Sequence, residues 1–150
     1  MSTSTFTQRL EQRKKESEGK ARPDKIRIDR WRVALMELRS KIRKWLDDPL
    51  KKKLIELTEF EKELHEDRVG AYKVKGVIVS LGRQRIVFDP VATYVIGAFG
   101  RVDVVGPAAK FTLIRQKDDV HWSLVNPNDP RQFEPFTKET FEQTLLQALG

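Results

Sequence analysis

Lys25-Ile26-Arg27-Ile28-Asp29-Arg30-Trp31-Arg32-Val33-Ala34-Leu35-Met36-Glu37-Leu38-Arg39-Ser40-Lys41-Ile42-Arg43-Lys44-Trp45-Leu46 is the most regular stretch of this chain. Within it Ile28, Trp31, Leu35, Leu38, Ile42 and Trp45 recur at steps of three, four, three, four and three. That spacing places the six large apolar side chains on one stripe of an α-helix. The helix is expected over 25–47, with Asp24 as its cap after Pro23. Asp47-Asp48-Pro49 should end it, because the residue before a proline is pushed out of helical space.

The same steps are those of a coiled-coil seam. However, the flanking residues are Arg27, Arg32, Ala34, Arg39 and Lys41, nearly all basic. A parallel homodimer through 28–45 would set Arg27 against Arg32 of its mate, and like charges so placed repel. That dimer is disfavoured, and oligomeric state is otherwise illegible. Docking of the stripe on the chain's own sheet, or on an acidic partner, suits these residues better.

On the N-terminal side, residues 1–24 offer only Phe6 and Leu10 as large apolar groups, with Arg13-Lys14-Lys15 between them and Pro23. The expectation is a loosely ordered basic arm. On the C-terminal side, Asp48 and Pro49 are suited to start a further helix. Residues 50–67 read equally as helix or as edge strand, since Leu50, Leu54, Leu57 and Leu64 fit the one and Leu54 to Phe60 fit the other.

From Val69 the texture becomes that of β-structure. A meander of about five to six antiparallel strands is expected over 71–125. Asp89-Pro90 should break one of those strands, with Thr93 to Ile96 resuming it. Residues 126–136, with Pro127, Pro130 and Pro135, are expected as loop. Thr137 then caps a helix over 138–149, and Phe136 is placed to staple against Phe141. The fold class is therefore α+β. Residues 25–150 make one domain, in which the long and the short helix together cover one face of the sheet.

Composition narrows the function classes. The 150 residues include no cysteine, which excludes disulfides and thiolate chemistry and fits a reducing, cytoplasmic setting. No run of apolar residues is long enough to span a membrane, and no membrane partner is expected. The net charge of +7 is uneven: residues 1–53 carry 17 Lys and Arg against 8 Asp and Glu, the remainder 12 against 14. An anionic partner, nucleic acid or an acidic protein, is therefore sought on the first third. The candidate contacts are Arg27, Arg30, Arg32, Arg39, Lys41, Arg43 and Lys44, with Lys51, Lys52 and Lys53 beyond. The cluster Glu56, Glu59, Glu61, Glu63, Glu66 and Asp67 is placed to neutralise them from within the fold.

Catalytic signals are few. His65 and His121 are isolated and read as surface residues, and two lone histidines without cysteine do not make a zinc site. Asp89 and Asp103 sit beside strands and could converge on magnesium. The Glu-x-Lys that metal-dependent nucleases add occurs only as Glu18-Gly19-Lys20, in the arm, and either aspartate has a simpler role in a turn or a cross-strand pair. A metal-dependent hydrolase is thus a minor alternative, and no catalytic residue, metal site or cofactor is assigned. No nucleotide-binding glycine motif is present.

Val95-Ile96-Gly97-Ala98-Phe99-Gly100-Arg101 resembles, over seven residues, the Gly-x-x-Gly loop of K-homology RNA-binding domains. That loop joins two helices and carries a basic residue between its glycines, whereas here the neighbours are strand-like and the middle pair is Ala98-Phe99. A hairpin connection accounts better for the two glycines. Phe99 at its tip is a candidate contact for a partner. The expected function is that of a non-catalytic binding protein using its basic helix. The alternative is a protein–protein adaptor or neutralising subunit using the sheet and the Phe99 loop.

Overall fold

A computed structural model of the chain describes residues 2–95, 98–116 and 121–150, with the side chains of 2–4 and 16–24 outside that description. Helix α1 (Ser2–Trp45) and the short α2 (Asp47–Lys51) precede seven strands. These are β1 (Glu56–Glu66), β2 (Gly70–Leu81), β3 (Gln84–Ala92), β4 (Arg101–Val105), β5 (Lys110–Arg115), β6 (Trp122–Asn126) and β7 (Asp129–Pro135), and helix α3 (Lys138–Leu149) follows. The strands form one antiparallel sheet in sequence order. The α+β class with an antiparallel meander is as the sequence predicts, with seven strands in place of five or six.

The apolar stripe of α1 is buried. Trp31 is 1% exposed, and Ala34, Leu35, Leu38, Ile42 and Leu46 join it in the core, with Ile28 and Trp45 packed at its margin. The sheet answers with one face whose register aligns Val77 with Phe88 and Phe88 with Val104. The next pairs on that face, Val104 with Phe111 and Leu113 with Leu124, continue it. All of these side chains are buried. Aromatic rings join the layers: Trp31 lies 5.9 Å from Trp122, Trp45 lies 5.1 Å from Phe141, and Phe141 lies 6.1 Å from Phe88. Helices α1 and α3 therefore cover the same face.

Helix α3 begins as its sequence dictates. The Thr137 side chain accepts from the Thr140 N–H, and the Thr137 N–H donates to Thr140 Oγ1 at 2.7 Å, a reciprocal cap. Phe136, just outside, meets Phe141 edge-on at 5.9 Å.

Three expectations are corrected, and the choice left open over 50–67 is decided. Helix α1 starts at Ser2, not near Lys25, and passes through Gly19, Pro23 and Asp24, so Asp24 is no cap and the arm over 1–24 is helical from Ser2. Arg9 to Lys15 are all strong helix formers, a local preference that the sequence reading set aside because the segment lacks an apolar face. The stretch 50–67 resolves into the end of α2 and strand β1, whose eleven pairs with β2 run from Glu56↔Ser80 to Glu66↔Gly70. Second, β3 continues through Asp89 and Pro90 as far as Ala92, with a register shift between Pro90 and Ala92 absorbing the proline. Beyond it, among the described residues, Val95 makes an isolated bridge to Ala98, and Ile96 lies outside them. Third, 126–136 contains strand β7, where Pro130 and Pro135 are accommodated because β7 is an edge and need not donate on its free side.

The β1–β2 hairpin overhangs the sheet, because only Val77 to Leu81 of β2 pair with β3. The overhang starts at Gly76, where a Cβ would collide with the Phe60 ring and stand 2.6 Å from the Phe88 carbonyl oxygen. Past it, Lys62 Nζ donates to Asp89 at 2.8 Å and to the Pro90 carbonyl at 2.9 Å. The Glu66 carboxylate accepts from the Thr93 N–H at 3.2 Å and the Tyr94 N–H at 2.9 Å. These bonds fold the hairpin against the end of β3 and the connection that follows it.

Candidate anion-binding interface

The ten cations singled out in the sequence divide into three groups. Those beside the buried stripe of α1 are drawn down onto the fold. Arg27 Nη2 donates to the Thr93 carbonyl at 2.6 Å, and its guanidinium lies 3.8 Å from the Tyr94 ring centre and 4.9 Å from that of Phe99. Arg32 Nε donates to the Lys73 carbonyl at 3.0 Å and its Nη1 is 3.8 Å from Asp29. Arg39 Nη1 donates to the Lys75 carbonyl at 3.0 Å and its Nε is 3.6 Å from Glu59, which leaves its side chain 17% exposed. These three arginines clamp α1 to the hairpin and to the β3–β4 connection.

Lys51 and Lys52 form the second group. They pair at one-turn spacing with Asp47 (2.9 Å) and Asp48 (3.2 Å) on the surface. The hydrogen bond to Asp47, and then its charge, hold the Lys51 ammonium above its ordinary range. Exposed pairs of this kind are weak, and both lysines stay open to a partner.

Arg30, Lys41, Arg43, Lys44 and Lys53 form the third. All are exposed, and among the described residues none has an ion pair or a side-chain hydrogen bond. At 100° per residue, Arg30, Lys41 and Lys44 fall within about 60° of each other on the outward side of α1, a sector that Glu37 shares. The earlier part of the helix extends this supply. Every residue from Thr5 to Lys15 is exposed, and Arg9, Arg13, Lys14 and Lys15 stand there against the one carboxylate of Glu11.

The acidic cluster does little to cancel these charges. Among the described residues only Glu59 reaches a cation of α1, while Glu61 pairs with Lys73 at 3.3 Å and Glu63 lies 3.8 Å from His65. Glu66 is taken up by Tyr72 and the two backbone N–H groups. The charges of β1 are spent mainly along its own hairpin.

Asp89 and Asp103 are direct cross-strand partners on β3 and β4, closer than the sequence alone implies. Each carboxylate has cations of its own: Lys62 on Asp89, and Arg101 (2.9 Å) and Lys110 (3.2 Å) on Asp103. Among the described residues no three metal-ligating side chains gather. His65 and His121 are exposed, and the side chains of Glu18 and Lys20 lie outside the described residues. In the glycine loop, Gly97 also lies outside them. Ala98 to Gly100 connect β3 to β4 and not two helices, and Phe99 is half-buried beside Arg27.

Sequence reasoning missed the surroundings of Arg27. Its partners Thr93 and Tyr94 lie more than sixty residues along the chain, and their own local pattern read as strand. The available signal was the position of Arg27 next to Ile28, which puts it at the margin of the buried stripe.

No protein-family model, curated protein or solved structure matches this chain. No described helix is long and apolar enough to cross a membrane.

Proposed function

We propose that this protein is a non-catalytic binding module that engages an extended anionic surface, nucleic acid, along helix α1. One observation carries the reading: α1 spans 44 residues, about 66 Å at its rise per residue, and its outward cations are left uncompensated by the acidic cluster. Arg9, Arg13, Lys14 and Lys15 at one end and Lys41, Arg43, Lys44 and Lys53 at the other suit a phosphate backbone, which carries charge at regular intervals. Arg27, Arg32 and Arg39 leave the proposed contact set, because their guanidinium groups are committed within the fold.

Retention on heparin and on single- and double-stranded polynucleotides, measured against salt, tests this. Neutralising about five phosphates gives a log–log slope near −4 by counterion release. Charge reversal at Lys41, Arg43 and Lys44 together should flatten the slope and reduce affinity by at least tenfold. Retention and slope unchanged in that variant would remove the reading.

A second reading, an adaptor that binds a protein through the sheet, is favoured by a groove of about 450 Å³ whose lining includes Val95, Ile114, Val125, Pro130 and Phe133. Phe133 is 48% exposed there. Partner capture that survives high salt but is lost on Phe133→Asp would select this reading over the first.

A further inference from the structure

Helix α1 and the overhanging part of β2 flank an open groove of about 320 Å³. Its lining includes Leu35 and Val74, each 3% exposed, and beside them Val33 and Met36, which stand 47% and 52% exposed. On the β2 side the groove meets a strand edge. Strand β2 turns into β3 through Gly82 and Arg83, so Leu81, Val79 and Val77 exchange backbone hydrogen bonds with β3. Lys75 and Lys73, two and four residues before Val77, point to the same side, where β3 offers them no pair. Their carbonyls accept instead from Arg39 Nη1 and Arg32 Nε, each at 3.0 Å. The two arginines bridge from helix to strand seven residues apart, about 10 Å along α1, and Val33 and Met36 lie open between them.

What this edge still offers a ligand is donors. Both carbonyls are engaged by guanidinium groups, which leaves the Lys73 and Lys75 N–H groups on the same side, and an N–H can only donate. The charge points the same way. Of the four cations in the lining, Arg32 has Asp29 (3.8 Å), Arg39 has Glu59 (3.6 Å) and Lys73 has Glu61 (3.3 Å). Lys75 is exposed, and among the described residues it has no ion pair or side-chain hydrogen bond. A cationic ligand is repelled there, and a purely apolar one leaves the ammonium unused. One uncompensated cation balances one negative charge, which suits a carboxylate better than a phosphate monoester carrying nearly two.

We infer that this groove binds a small amphipathic carboxylate, its apolar chain laid on Val33, Leu35, Met36 and Val74 and its carboxylate against the Lys75 ammonium. The inference goes beyond the macromolecular contact proposed for α1 and does not depend on it, because none of the cations of that contact lines the groove.

Methionine methyl NMR of the whole chain tests this, since Met1 and Met36 are its only methionines and the Met36 resonance is assigned by its loss in Met36→Leu. Octanoate, 1-octanol, acetate and octyl phosphate are titrated separately, below their micellar concentrations and at constant ionic strength. A saturable shift of the Met36 methyl is expected with octanoate, and none with acetate, which lacks the chain. Lys75→Gln should weaken octanoate binding about tenfold, as the loss of one charge-assisted hydrogen bond does, and leave 1-octanol binding unchanged. Lys75 is exposed and holds no ion pair, so its variant keeps the fold intact. No saturable shift with octanoate, an equal affinity for 1-octanol, or Lys75→Gln binding octanoate as tightly as the parent would overturn the site. Octyl phosphate binding more tightly than octanoate would overturn the carboxylate assignment.

Discussion

Tyr72 and Glu66 face each other across the end of the β1–β2 hairpin, where the phenol donates to the carboxylate. Burial first, and then the hydrogen bond to Glu66, push the Tyr72 phenol above its ordinary range. In the unfolded chain that phenol titrates near pH 10. Its folded-state value is the higher one, so its contribution to stability is whole below about pH 10 and is lost as pH rises from there through the folded value. Tyr72→Phe should cost about 1–3 kcal/mol at neutral pH by leaving Glu66 one donor short, and should reduce the fall in stability above pH 10. Urea unfolding at pH 8, 10 and 11 measures both. An alkaline slope identical in the two proteins would mean that the phenol ionises alike in both states. Neither residue announces this role in the sequence, where Tyr72 reads as a strand residue and Glu66 as one member of an acidic surface cluster. The pair exists because β1 and β2 align Leu64 with Tyr72 and Glu66 with Gly70.

Among the elements, α3 is the one most legible in the chain, since its cap, its staple and its apolar face are all local. Thr137→Ala should therefore destabilise the protein by about 1 kcal/mol and Thr137→Ser by much less, read from urea midpoints at constant slope. Equal loss in both variants would show that the reciprocal cap with Thr140 is not what holds the first turn. Strand β1 is the opposite case. Leu54 to Phe60 carry a pattern compatible with two structures, and a strand forms because β2 supplies eleven partners. Strand β7 escaped the sequence reading for a related reason: prolines argue against a central strand, and only the position of β7 at the edge removes the objection. The ridge from Ile28 to Trp45 was legible because helical periodicity needs no knowledge of what covers it. The turns of α1 over 5–15 were not, because every residue there is exposed and leaves no periodic pattern to read.

At the scale of the whole molecule, Phe141 ties the layers together, being fully buried and in ring contact with Phe88 of the sheet, Trp45 of α1 and Phe136. Phe141→Ala should cost about 3–5 kcal/mol, with circular dichroism and tryptophan fluorescence reporting a single transition. Separate transitions would mean that α1 and the sheet unfold independently. The order of residues alone determined the cysteine-free chemistry, the concentration of positive charge in the first third, the buried ridge of α1 and the last helix. Each of these depends on composition or on neighbours within a turn or two. Tertiary structure alone decided which cations face outward and which are committed inward. Arg27, Arg32 and Arg39 reach carbonyls thirty-six to sixty-six residues away, and a long flexible side chain at the margin of a buried stripe takes whatever acceptor the opposing layer presents. No local pattern encodes that acceptor, because the backbone that carries it arrives only when the sheet closes under the helix.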